Sequence, residues 1–296
     1  MKIAQKRIDN TMKEFIQNLN KGPFKHLNDE NCTFPQSVYI VSHSKNGYEN
    51  IFQCAVTQAW LDMCRTTTGD SDDAIKQFFS DEIKKIYEQE SSQTLEDLIY
   101  SSSDEVSCLT VGQKQKIVNM ANKYLYCCED IRNNPKYQNA FKNAHMPLDS
   151  YVLEWYERVV VEWMIRTNKA FPGEKAAFFK SKMCEWSKLN ETDRTDDTFT
   201  NYEGKEFYSY GFIQRTIREY IEENNDTSNS LSPLEVEFLV WPEIQLLLAT
   251  ESFLFSIGSQ TISERKTIRS MHSIKSNIEK ISELINNDSS SIVWFK

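Results

Sequence analysis

Three observations predict an all-α fold. Glycine and proline are scarce, with 8 and 7 in 296 residues, so the tight turns that many short strands need have few places to form. Apolar residues recur at three- and four-residue spacing along most of the chain, the period of an amphipathic helix. Strand composition is confined to SVYIVS (37–42), which reads as an isolated strand or an extended connector. The expectation is a compact helical protein of one large or two intimate domains, with at most a short strand pair.

The elements follow in order. Residues 2–20 carry Ile8, Met12, Phe15, Ile16 and Leu19 on one helical face. Residues 21–50 are turn-rich (KGPF, NDEN, FPQS, KNGY). Residues 49–65 read as a buried helix through Phe52, Val56, Trp60 and Met63, and Asp70–Asp73 caps a helix over 73–88. After a serine-rich break at 101–103, the pattern is helical from Val111 to Cys128. Asn133-Asn134-Pro135 interrupts it, and Pro147 leads into a long apolar helix over 149–168. FPGE (171–174) breaks the chain, helices are expected over 174–189 and 206–223, and polar loops over 193–201 and 224–232. SPLEVEFLVW (232–241) opens a helix with Ser at N-cap, Pro at N1 and Glu at N3. Pro233, Glu235, Glu237 and Trp241 are read as packing residues of that helix. A charged helix over 262–286 ends the chain, with Arg265, Lys266, Arg269 and Lys275 as a basic stripe. The expected units are 1–105, a core over 106–241, and a C-terminal extension over 242–296.

Composition narrows the function classes. A net charge of −9 argues against a protein that is basic all over, so a nucleic-acid binder would need a local basic face. The seven cysteines are odd in number and lack C-x-x-C spacing, and the four histidines are scattered. That favours reduced thiols in the cytoplasm, with no metal and no cofactor expected. The N-terminus lacks the apolar run of a signal peptide, and no segment is apolar enough to span a membrane. Phosphate-loop, serine-hydrolase, zinc-protease and dinucleotide motifs are missing.

The segment VGQKQKIVNMANKYLY (111–126) stands apart. Between Val106 and Cys128 there are three lysines and no acid. Lys116, Met120 and Lys123 share one helix face, Gln115, Asn119 and Asn122 form an amide stripe beside it, and Gly112 at the N-terminal end suits a phosphate. Some twenty residues on, HMPLDSYVLEW (145–155) places Asp149 behind Pro147 at the start of an apolar helix. A solvated helix face and a plain N-cap aspartate would produce the same residues.

These two segments, LTVGQKQKIVNM (109–120) and MPLDSYVL (146–153), resemble the helix-hairpin-helix DNA glycosylase superfamily, and within it the archaeal 8-oxoguanine glycosylase branch. Thr110 stands where the first hairpin glycine falls, and the iron–sulfur cysteine loop of one subfamily is missing. Together with the WSKL and SPLEVEFLVW segments they also resemble an uncharacterised bacterial group sharing a G-x-x-Q-K-x-x-N-M…H-x-P-L-D pattern. The first resemblance implies a helix-hairpin-helix core and a DNA substrate with a modified or damaged base, including one in foreign DNA. By the same resemblance Asp149 is the aspartate of the site, and the nucleophile is Lys116 or Lys114, with Lys116 preferred for the face it shares. Gly112, Gln115, Asn119, Lys123, His145 and Trp155 are the expected substrate contacts. Trp60, Trp155, Trp163, Trp186 and Trp241 are available to stack on a base drawn out of the duplex. The alternative is a non-catalytic helical module that binds protein or nucleic acid.

Overall fold

The computed structural model describes residues 5–19, 47–64, 70–167, 169, 181–191, 194–224 and 231–258. The SVYIVS strand, the FPGE break and the basic 262–286 helix lie outside them.

Among the described residues the chain is helical apart from one hairpin. In chain order come α1 (Gln5–Leu19), α2 (Gly47–Cys64), α3 (Asp70–Tyr87), the short α4 (Leu95–Ile99) and α5 (Val111–Cys127). Two short helices, α6 (Glu129–Arg132) and α7 (Gln138–Asn143), fill the span that Asn133-Asn134-Pro135 punctuates. Helix α8 (Ser150–Trp155) runs through a π-turn at Tyr156–Val160 into α9 (Val161–Arg166), so the single helix expected over 149–168 has a wider turn inside it. Further along come strands β1 (Thr198–Thr200) and β2 (Glu206–Tyr208), then α10 (Tyr210–Asn224) and α11 (Pro233–Gly258). No helix among these residues is long and apolar enough to cross a membrane.

Local chemistry sets the starts of the helices. Thr94 and Asp97, Thr110 and Gln113, and Ser232 and Glu235 each form a reciprocal capping box, satisfying two backbone donors per helix start. The Ser N-cap, Pro N1 and Glu N3 expected at 232–235 are therefore in place. Two expectations change. The helix expected over 206–223 begins only at Tyr210, because Glu206–Tyr208 pairs antiparallel with Thr198–Thr200. Its turn closes through Gly204, which sits at φ +77° where only glycine is at ease. Over the part of 174–189 that is described, Trp186–Lys188 is a 3-10 turn instead of α-helix.

Helix α5 runs through the middle of the core. Every one of its residues except Gln113 is buried. It packs against α2, with α4 and the Trp186–Lys188 turn against its other sides. Ile117, Val118, Ala121 and Leu125 share one buried apolar core with Phe52 and Val56 of α2. A helix enclosed on all sides must also enclose its polar residues, and that places the candidate site.

Candidate functional site

The site is built where α5, α8 and α11 meet. Asp149 is the N-cap of α8: its Oδ1 accepts from the backbone N–H of Tyr151 (3.0 Å) and Val152 (2.9 Å). The other oxygen, Oδ2, receives the Lys116 ammonium at 3.0 Å and the Trp241 indole N–H at 3.1 Å. Four donors thus converge on one carboxylate. Burial pulls this carboxyl upward, but the Lys116 charge and the Val152 N–H outweigh it and hold it below the usual carboxylate range. The Asp149 side chain remains 16% exposed, so the pair is enclosed but open to solvent on one side. Tyr151 meets the Trp241 ring edge-on beside it.

A second ion pair lies about two turns further along α5. Lys123 reaches Glu237 of α11 at 2.6 Å. The Lys123 ammonium also sits 4.2 Å from the Phe15 ring centroid, 5.0 Å from Phe238 and 5.6 Å from Trp241, a set of cation–π contacts. Burial raises the Glu237 carboxyl against the lowering pull of Lys123. Asp62 of α2 accepts a hydrogen bond from the Tyr124 hydroxyl and lies within electrostatic reach of Lys116 and Lys123. Burial is the larger influence and raises its carboxyl too.

Several sequence-predicted contacts are used internally. Gly112 does not offer its N–H to a phosphate: that group donates to Leu189 O at 2.9 Å, and the Trp186 carbonyl lies so close that a Cβ at Gly112 would be 1.7 Å from it. Gln115 holds the backbone of Leu148 and Asn119 donates to the Tyr210 hydroxyl, both fully enclosed. His145 is buried with Nδ1 2.7 Å from the Tyr210 hydroxyl, and burial, then the nearby Arg218 charge, push it down to about 3, so it is neutral at physiological pH. Trp155 is wholly inside the core, edge-on to Tyr220, with no face open for stacking. Lys114 donates to the Ser101 carbonyl and not to Asp149, and burial lowers its amine. The local basic face that a nucleic-acid binder would need is therefore not made by the three lysines of α5. Lys114, Lys116 and Lys123 are only 6%, 7% and 2% exposed, because α5 is central and its cations turn inward to partners.

Glu237 and Asp62 enter the site without having been singled out for it, and Trp241, expected to stack on a base, enters it as a hydrogen-bond donor to Asp149. Glu237 and Asp62 had a legible signal. Each is a lone acid inside an apolar run, VEFLVW and AWLDMC, where an acid needs a buried partner. No protein-family model, curated protein or solved structure matches this chain.

Proposed function

We propose that the chain is a DNA glycosylase that releases a modified or damaged base through Lys116 and Asp149. One observation carries the reading: the Lys116 amine stands 3.0 Å from a capped, partly solvent-open aspartate 33 residues away. In the proposed reaction a base drawn out of the duplex brings its sugar between the two groups. Lys116 gives up its ammonium proton to water on the open side of the pair, its amine attacks C1′, a C–N bond forms, and the glycosidic C–N bond breaks with its electron pair leaving on the base. The base takes up a proton, and the sugar ring opens to a Schiff base. Asp149, kept ionised by its donors, stabilises the positive charge that develops on the sugar. The α5 lysines are already paired, so contacts to DNA phosphates come from other surfaces.

The test is hydride trapping on duplexes that each carry one modified base, 8-oxoguanine first. A covalent protein–DNA adduct is expected, abolished by Lys116→Gln and retained in Lys114→Gln. If no substrate yields an adduct or free base, the reading fails. A second reading would then apply, a non-catalytic helical binding module, and it has its own observation. Every lysine of α5 is satisfied inside the protein, as in a core whose ion pairs fix helix register.

A further inference from the structure

The extended segment 144–148 is buried at every position yet belongs to no sheet. Buried backbone N–H and C=O groups need partners; Phe141 O and Arg218 serve those of Ala144, and two glutamine side chains serve those of Met146 and Leu148. Gln214 of α10 accepts from Met146 N–H (3.1 Å) and donates to Met146 O (2.7 Å). Gln115 of α5 accepts from Leu148 N–H (3.1 Å) and donates to Leu148 O (2.9 Å). Pro147, between them, has no N–H to satisfy. Each side-chain amide donates and accepts in one plane, as the peptide of a neighbouring strand would. Both glutamines are buried, and Asn119 Nδ2 donates to Gln115 Oε1 at 3.1 Å, which holds that amide in its orientation. The pairing then continues in register: Gln115 holds Leu148, and the next residue, Lys116, holds the next residue, Asp149.

We propose that Gln115 and Gln214 are positioning residues that set where the Asp149 carboxylate stands relative to the Lys116 amine. The catalytic half of this proposal rests on the glycosylase reading; the geometric half stands without it. The two clamps act on alternate residues of a segment that cannot slide, because a shift of one residue would set an amide against Pro147. Loss of either clamp lets the backbone leading into Asp149 relax, and the ion pair loosens with it.

The experiment uses the full chain with Gln214→Met, which touches neither member of the ion pair, and Gln115→Met. Carbon-13 NMR follows the titration of the Asp149 carboxyl, and hydride trapping on an 8-oxoguanine duplex follows the chemistry. In both variants the Asp149 midpoint should move upward by about half a pH unit or more as the Lys116 charge recedes. Trapping should slow by about tenfold to a hundredfold, with duplex affinity within about twofold of the parent, as for misplacement of a reacting group. A clamp that only stabilises the fold would lower Tm and leave the Asp149 midpoint in place, and that result overturns the proposal. Should the variants fail to fold, the parent protein decides: the Gln115 and Gln214 side-chain amide protons should exchange slowly, and exchange at solvent rates overturns it. A parent that traps no adduct while the variants move the midpoint removes the glycosylase reading and supports the clamp. A parent that traps, with variants trapping equally fast and midpoints unmoved, removes the clamp and leaves the glycosylase reading intact.

Discussion

The Lys116–Asp149 pair should be strongly coupled, and a double-mutant cycle measures the coupling. Lys116→Met keeps the aliphatic stem and deletes the ammonium. Removing one partner of a fully buried pair costs about 3–5 kcal/mol. Here Asp149 keeps the Tyr151, Val152 and Trp241 donors and a solvent-open side, so the expected cost falls to about 2 kcal/mol. That corresponds to a fall in Tm of about 4–8 °C for a chain of this size class. Asp149→Asn preserves the cap on α8 through Oδ1 but turns an NH2 toward the Lys116 ammonium and the Trp241 N–H. Donor then faces donor, for a cost of about 2–3 kcal/mol. The double variant should lose little more than either single one, giving a coupling energy of about 1.5–2 kcal/mol in urea unfolding at pH 7. The pH dependence follows from the depressed Asp149 carboxyl. Its contribution is complete above the ordinary carboxylate range, about pH 4, and is lost as pH falls through the lower folded-state value. The gap between parent and Asp149→Asn should therefore close in acid. A coupling below about 0.5 kcal/mol, the figure for exposed pairs, would refute the reasoning.

Further outcomes are expected. Lys123→Met should cost about 3–5 kcal/mol because it strands Glu237, and adding Glu237→Leu should recover most of it in denaturant unfolding. Since burial raises the Glu237 carboxyl, the single variant should gain stability as pH falls from 7, the direction in which Glu237 becomes neutral. Gly112→Ala should lower stability by about 3 kcal/mol, because its Cβ would meet backbone, the Trp186 carbonyl, on the far side. Gly204→Ala, strained in φ but in open space, should cost about 1 kcal/mol. Asp62, with its raised carboxyl, contributes stability that is complete below about pH 4 and lost as pH rises through the folded-state value. Asp62→Asn should therefore gain on the parent as pH rises, read from Tm at pH 4, 5.5 and 7.

Much of this architecture was legible from residue order because helix starts are local. The Ser232-Pro233-Glu235 signature and the Asp149 cap each need only a few neighbouring residues. The side of α5 that carries Lys116 followed from periodicity alone. Its surroundings did not. An acid-free helix with three lysines reads as a basic surface until the acids that meet it are placed, and these come from α2, α8 and α11. A short strand pair was allowed for, but its place at 198–208 was not foreseen because its strands are three residues each, too short to show alternation. The amide stripe was seen, but its object, the backbone of 146–148, could not be, since a glutamine's partner leaves no mark in local sequence.

The enclosure of α5 also has a consequence for synthesis. Lys123 is separated from Glu237 by 114 residues. At about 5–20 residues per second, its partner appears some 6–23 seconds after the lysine itself. Throughout that interval the nascent chain holds a helix whose middle must stay hydrated, so the centre of the molecule is the last part to close. Ribosome-arrested chains ending near residue 225 should leave α5 open to protease, and chains extended past Gly258 should protect it.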